Sequence, residues 1–414
     1  MNALAPIYLI LFISPQVLLY LYLLERLPDP DRPAAARRVR IVLTVLFVVF
    51  NLPWILVGGR ILFGSVWGIG RIPWIAPFIA WQMLSWIFGA LVSIYVLWKG
   101  LRGMWDVGRS QLQRLSGPHR HVPHPTHHAV DSSVEVITRR RFLARATYSY
   151  AAAGAALSAY GIWSAMRRPE VTRVTLRFPT LPAGLDGMTI AHVSDVHAGI
   201  HLVEEDMREI VALTNALRPD LVAITGDLID ISRSFIPQYT RAFRDLQPPA
   251  IAVMGNHDRY TGEDAVVVGA KDAGHIVLRN AVHVVERGGA VLALAGVEDP
   301  RGWGRDDPQR VDVDVTLRRT PPEAFTIMLA HRPGAFDGAA PRGVPLTLAG
   351  HIHGGQLYIP GIGWSAGSLI TKYVMGHFRQ GDSQLYVSRG IGVVGVPIRI
   401  FTPPEIVLLT LRAG

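Results

Sequence analysis

Nine carboxylate, imidazole and amide side chains fall into five short clusters between residues 195 and 353. They are Asp195 with His197; Asp227; Asn256 with His257 and Asp258; His331; and His351 with His353. The chain holds no Cys, which excludes disulfides, thiolate metal sites, iron–sulfur clusters and a cysteine nucleophile. A thiol-free set of this kind suits Mn, Fe, Zn or Co, and it has too many imidazoles for Ca or Mg alone. His-rich clusters joined by a carboxylate that can bridge point to two ions. Two metals ~3.5–4 Å apart stabilise both the attacking and the leaving oxygen of an in-line displacement at phosphorus. Each cluster alone is a weak signal, because Asp-x-His pairs recur by chance and a lone buried His is usually a core residue. The ordered set carries the inference.

Short apolar runs precede these clusters. Thr189–Val193 runs into SDVHAG, Leu221–Ile224 into TGD, and Ile251–Met254 into GNHD. Val291–Leu294 leads to AGVED, Phe325–Leu329 to AHRP, and Leu346–Leu348 to AGHIH. Their length and flanking Gly identify buried strands. Between the first two, Glu204–Arg218 places Met207, Ile210, Val211, Thr214 and Leu217 at helical spacing, and Pro219 stops it. That is a βαβ unit. In α/β sheets ligands sit beyond the carboxyl ends of strands, which is where the clusters fall, so polar groups from several strands can converge.

At these residues the chain resembles the calcineurin-like metallophosphoesterase superfamily. The pattern reads Asp195-Val196-His197, Gly226-Asp227, Gly255-Asn256-His257-Asp258, His331 and Gly350-His351-Ile352-His353, with no member missing. It covers about residues 185–410. The GVEDP stretch and the ending RGIG…PIRIFTPPEI look like the membrane-attached bacterial members. The resemblance implies an α/β fold of two packed sheets flanked by helices and two divalent ions. Asp195, His197 and His353 would bind the first ion, Asp227 would bridge, and Asn256, His331 and His351 would complete the second. His257 would stand over the phosphate as electrophile or general acid, with Asp258 holding its orientation. A hydroxide bridging the metals would attack phosphorus, and a His can supply the leaving group's proton.

The remainder of the chain reads as a membrane anchor. Residues 1–170 hold 18 Lys and Arg against 7 Asp and Glu, whereas the remaining residues hold 23 against 25. The basicity therefore belongs to the N-terminal part, and the second half, at net −2, has no basic footprint for nucleic acid. Four uncharged stretches, Leu4–Leu24, Ile41–Gly59, Ile72–Trp98 and Ala146–Met166, reach the ~20 residues a helix needs to cross a bilayer. The fourth is only weakly hydrophobic and would also suit a buried helix. The first loop carries Arg26, Arg32, Arg37, Arg38 and Arg40, the second only Arg60 and Arg71, and the third nine Lys and Arg from Lys99 to Arg145. The positive-inside rule puts the first and third loops in the cytoplasm and everything after a fourth crossing outside. Thr138-Arg139-Arg140-Arg141-Phe142-Leu143 resembles the twin-arginine export motif, or is an ordinary juxtamembrane basic cluster. The five His of His119–His128, set among Pro, read as linker.

The expected organisation is a three-helix membrane region (1–98), a cytoplasmic basic His/Pro-rich linker (99–145), a fourth membrane segment or signal anchor (146–168) and a metallophosphoesterase domain (171–414). The expected activity is hydrolysis of a phosphate ester, a phosphodiester or pyrophosphate above all, by a multi-pass protein of the inner or plasma membrane. Family members that split the pyrophosphate of a UDP-linked diacylglucosamine suggest a lipid-linked substrate. That chemistry is cytoplasmic, in conflict with the outside placement. The alternatives are a nucleotide or nucleic-acid phosphodiesterase, against which the net −2 speaks, and a non-catalytic envelope binding module, which predicts lost ligands. Glu298 and Asp299 reach the site rim or form a turn; His192 is structural; His201, Arg332, Gln356 and Tyr358 could touch substrate. Trp303 and Trp364, near Gly-rich loops, could face lipid, though isolated surface aromatics are common.

Overall fold

A computed structural model describes residues 159–300, 313–394 and 397–414, together with ten scattered positions between 17 and 157. The first three uncharged stretches, the linker and the Arg139–Arg141 cluster lie outside the described residues, apart from a few helical positions. At those positions the Tyr20 hydroxyl lies 2.8 Å from Thr44 Oγ1, and its ring stacks on Phe47 at 4.6 Å. Among the described residues no helix is long and apolar enough to cross a membrane. Contacts divide the chain into two compact units, Met1–Ser158 and Ala159–Gly414. The helix at 159–166 thus belongs with the second unit, which begins ahead of the expected start at 171.

That unit is built on two six-stranded mixed sheets. The first contains β1 (Glu170–Phe178), β2 (Thr189–Val193), β3 (Leu221–Thr225), β4 (Ala250–Val253), β5 (Ile276–Val277) and β14 (Glu405–Ala413). The second contains β6 (Ala281–Arg287), β7 (Ala290–Gly296), β8 (Phe325–Leu329), β9 (Leu346–Ala349), β12 (Gly376–Gln380) and β13 (Ser383–Val387). Their orders are β1-β14-β2-β3-β4-β5 and β12-β13-β9-β8-β7-β6. All six strands expected from the apolar runs are present. Strands β2 through β5 run parallel, as do β7, β8, β9 and β13, so their carboxyl ends share one edge in each sheet.

Side-chain alternation along the strands builds the layers. Ile190, Leu221, Ile251 and Val253 of the first sheet pack with Leu292, Ile327, Leu346 and Tyr386 of the second in one core. The opposite face of the first sheet, Ala191, Val193, Val222, Ile224 and Ala252, meets Met207, Ile210, Tyr239, Phe243 and Val266. Those residues come from the helices α1 (Glu204–Ala216), α2 (Ile236–Phe243) and α3 (Asn256–Asp272). The expected double sheet with helical flanks is therefore present.

Local chemistry places the helices. The backbone N–H of Val203 donates to Asp206 Oδ2 at 3.2 Å, and Glu204, Glu205 and Asp206 complement the helix dipole at the start of α1. At its far end Arg218 turns to φ 47° and Pro219 cannot continue the helix. Helix α3 starts directly after β4, which puts its first turn, Asn256 to Asp258, at the edge where the strands end.

Candidate metal centre

The parallel strands deliver the candidate ligands to one point. Asp195 and His197 follow β2, Asp227 follows β3, Asn256 and His257 open α3 after β4, His331 follows β8, and His351 and His353 follow β9. Five of these residues hold left-handed backbone: Asp195 (φ 52°), His197 (48°), Asp227 (53°), His351 (73°) and His353 (53°). Non-glycine residues pay strain in that region, and such strain concentrates at functional sites. The turns are also crowded: a Cβ on Gly255 would overlap Asp227 Oδ1, and one on Gly350 would overlap Ser194 Oγ and Asp195 Oδ2.

Two neighbouring groups result. Asp195, His197 and His353 bring one donor atom each within 4.8 Å of one another, and so do Asp227, His331 and His351. Asn256 joins the second group, its Oδ1 lying 3.1 Å from His331 Nε2. Asp227 lies between them: its Oδ2 is 3.5 Å from His197 Nε2 and 3.2 Å from His331 Nε2. Its other oxygen accepts from the backbone N–H of His257 at 2.8 Å. A third group, His197, Asp230 and His257, meets the same distance condition.

The donor set fits divalent cations. His331 Nδ1 donates to the Thr225 carbonyl at 2.8 Å, so in the neutral ring Nε2 presents a lone pair. That lone pair faces His351 Nδ1 and Asn256 Oδ1, both at 3.1 Å, as well as Asp227 Oδ2. In the first group His197 Nε2 and His353 Nε2 stand 3.1 Å apart, and His197 Nδ1 is buried without a hydrogen-bond partner. A single proton can satisfy one such pairing, whereas a metal ion accepts all the converging lone pairs. The carbonyl behind His331 is the outer partner that fixes a ligating ring.

Electrostatics agree with a cation site. Burial pushes the Asp195 carboxyl up to about 6. Burial pushes Asp227 the same way, but the His331, His197 and His257 rings outweigh it and hold this carboxyl well below its ordinary range. Burial holds His197 down at about 4, and burial with neighbouring His rings holds His351 and His353 well below the ordinary value. Rings kept neutral present lone pairs, which is the ligating form. His331 is the exception: burial is outweighed by Asp227 and Asp195, which raise it to about 10.

His257 differs from the candidate ligand rings. Its Nδ1 donates to the backbone carbonyl of Asp230 at 2.8 Å and lies 3.4 Å from that residue's Oδ1. Burial is outweighed by Asp230 and Asp227, which raise the ring to about 9. It stands edge-on to His197 with centroids 4.7 Å apart. The expectation that Asp258 orients His257 is corrected. Asp258 Oδ1 accepts from the backbone N–H groups of Leu228 (2.8 Å) and Ile229 (3.0 Å), and Oδ2 from Gly255 (2.9 Å). It braces the loops beneath the site, and Asp230 holds the ring.

Other residues find defined places. His192 is buried, with Nε2 2.8 Å from Thr225 Oγ1, as expected of a structural residue. Asp299 is buried among arginines: its Oδ1 accepts from Arg332 Nε at 2.8 Å, and its carbonyl from Arg259. Glu298 instead pairs with Arg279 at 2.7 Å. Trp303 lies outside the described residues. Asp230 and Arg399 escaped sequence analysis, although Arg399 stands in the quoted ending PIRIFTPPEI and Asp230 lies three residues after Asp227. A cavity of about 470 Å³ lies elsewhere, between Met166 and Leu213, and none of the cluster's residues lines it.

The calcineurin-like phosphoesterase family model matches residues 188–355. The chain is 32% identical over 295 residues to the uncharacterized metallophosphoesterase YkuE of Bacillus subtilis, covering 67% of this chain and 98% of that protein. The chain belongs to the calcineurin-like metallophosphoesterases. It is also 28% identical over 246 residues to an uncharacterized metallophosphoesterase of Aquifex aeolicus, covering 59% of this chain and 92% of that one. A Danio rerio transmembrane protein with metallophosphoesterase domain is 30% identical over 271 residues, which are 62% of this chain and 61% of the relative. Membership makes this chain a metal-dependent phosphoester hydrolase.

Proposed function

We propose that this chain is a membrane-anchored, two-metal phosphoesterase that cleaves a phosphodiester or pyrophosphate, with a lipid-linked phosphoester as the favoured substrate class. The observation that carries the two-metal part is Asp227, whose Oδ2 stands between His197 (3.5 Å) and His331 (3.2 Å). Asp195, His197 and His353 would hold one ion, Asn256, His331 and His351 the other, with Asp227 shared. When bound, the ions supply Lewis-acid charge at phosphorus and lower the pKa of coordinated water to ~7.

The protein's own groups do the rest. His257 donates a proton from Nε2 to the departing oxygen, its Nδ1 being committed to Asp230. The Asp230 carboxylate, 3.4 Å from Nδ1, favours the charged form of that ring. The same charge attracts the phosphate before reaction. Asp258 fixes the loops after β3 and β4 against each other, so the ring and the bridging carboxylate keep their spacing.

Anchoring is supported by the first three uncharged stretches and by the bias of Lys and Arg toward the first and third loops. The same bias, with the Arg139–Arg141 motif, supports placing the catalytic unit on the outer face of the membrane. The Danio rerio relative is named as a transmembrane protein, which agrees with anchoring. A nucleotide phosphodiesterase remains the second reading, disfavoured by the slightly acidic catalytic half.

The deciding experiment assays the full chain, supplied with Mn²⁺, on an aryl phosphomonoester and an aryl phosphodiester, with metal stoichiometry measured in parallel. Diester turnover and two ions per chain are expected, both lost in Asp227→Asn. A metal-replete, active Asp227→Asn protein would overturn the two-metal assignment, and monoester turnover alone would overturn the diester assignment.

A further inference from the structure

From Gly354 to Thr371 the chain carries no charged residue, yet much of this segment lies at the surface. Ile362 is 74% exposed, Leu369 79%, Ile370 66% and Ile359 42%. The backbone beneath them is well tied. Two short strands, β10 (Tyr358–Ile359) and β11 (Trp364–Ser365), pair antiparallel, and Ser365 Oγ donates to the Gly354 carbonyl at 2.7 Å. The Ala366 N–H donates to the Leu357 carbonyl at 3.0 Å. The aliphatic side chains are therefore held out by a built turn.

This excursion begins one residue after His353 and is tied to the start of the catalytic unit. Tyr358 N–H donates to the Ile400 carbonyl (2.9 Å), and Arg399 N–H donates to the carbonyl of Gly161 on the 159–166 helix (2.9 Å). Phe401, 47% exposed, packs on Tyr160 with ring centroids 5.3 Å apart, and Trp163 on the same helix is 58% exposed. One neighbourhood thus joins the exposed turn, Phe401, and the helix that continues the uncharged stretch from Ala146. Exposed cations edge it, each sharing its charge with a carboxylate: Arg168 follows the helix and pairs with Glu209 at 2.9 Å, and Lys372 follows the turn and pairs with Asp337 at 3.0 Å.

We infer that this face, Ile359, Ile362, Leu369 and Ile370 with Phe401 and Trp163, docks into the headgroup region of a lipid bilayer. Large exposed apolar surface marks an interaction site, and apolar side chains bordered by Lys and Arg suit an interface with anionic lipid. The occupant follows from chain continuity: the helix lies downstream of three uncharged stretches of membrane-spanning length, Leu4–Leu24, Ile41–Gly59 and Ile72–Trp98. Docking would turn the His353 side of the metal site toward the lipid surface, where a lipid-borne phosphoester is presented. The inference rests on the anchored reading above.

The absence of Cys allows a direct test. Full-length chain carrying Ile362→Cys, Leu369→Cys, Val45→Cys or Asp264→Cys is labelled with an environment-sensitive fluorophore and reconstituted in phosphatidylglycerol-containing vesicles with nitroxide-labelled lipid. Severalfold stronger quenching at positions 362 and 369 than at 264 is expected, independent of protein-to-lipid ratio, with 45 quenched as the anchor control. Quenching at 45 without quenching at 362 and 369 would overturn the docking and leave the anchor standing. No quenching at 45 would overturn the anchored reading and the docking with it. Labels shielded only at high protein-to-lipid ratio would assign the face to a second copy of the chain, and so overturn the inference.

Discussion

Nδ1 of His257 donates to the backbone carbonyl of Asp230 across 2.8 Å, with the carboxylate of the same residue 3.4 Å away. The backbone bond sets the ring's tautomer and orientation, and the carboxylate adds charge. Asp230→Asn should keep the first and remove the second. The His257 ring, raised to about 9, is charged below that value, so activity that needs its proton falls as pH rises through it. Losing a facing carboxylate lowers the ring's pKa, and the alkaline limb of kcat should move down by roughly one pH unit. Metal content should not change. A pH–rate profile on one aryl diester checks this.

Replacing His257 by Ala removes the proton donor and none of the proposed ligands. Turnover should fall by about 10²–10⁴ while bound metal persists. The loss should be larger for poor leaving groups, which need the proton more. A leaving-group series compared between wild type and variant, with metal analysis, makes the distinction. Metal loss would place His257 among the ligands.

Much of the site was legible because its signals are local. Runs such as LVAIT and FTIML are too short for helices and end in Gly, Asp or His, and they became β3 and β8. The outer strand β1, EVTRVTLRF, was missed: Glu170, Arg173 and Arg177 leave it no continuous apolar run, and its partner β14 lies more than 200 residues away in the chain. Asp258 was misjudged through its adjacency to His257. Successive helix positions point about 100° apart, so the two side chains at the start of α3 face different neighbours. Asp230 and Arg399 reach the site only through loop conformations that no spacing rule encodes.

Arg399 supports His353 from behind. Its guanidinium is fully buried and lies 3.1 Å from His353 Nδ1, and it donates to the carbonyls of Arg389 (2.8 Å), Thr402 (3.0 Å) and Gly392 (2.5 Å). Arg399→Met would strand those acceptors and release the ring. A stability loss of roughly 3 kcal/mol or more is expected, because each unsatisfied buried polar group costs ~1–3 kcal/mol. Arg399→Lys should not restore the loss, since one ammonium cannot reach the same set of carbonyls. Thermal unfolding of wild type and the two variants measures it.

His275 predicts an acid limit on stability that is separate from the metal site. It is buried against Tyr239, whose hydroxyl lies 3.1 Å from Nε2, and burial lowers its pKa from 6.5 to about 4. Between those values the unfolded chain binds a proton that the folded chain refuses. Stability is therefore full above pH 6.5, declines as pH falls, and levels off below about 4. The contribution is on the order of 3 kcal/mol across that window. His275→Gln keeps a hydrogen-bonding group beside Tyr239 and cannot titrate. The difference between wild-type and variant unfolding free energies should therefore slope between pH 6.5 and 4 and be flat outside it. Taking the difference cancels the carboxylates and metal ligands common to both proteins, so a flat difference throughout would mean that folding leaves the pKa of His275 unchanged.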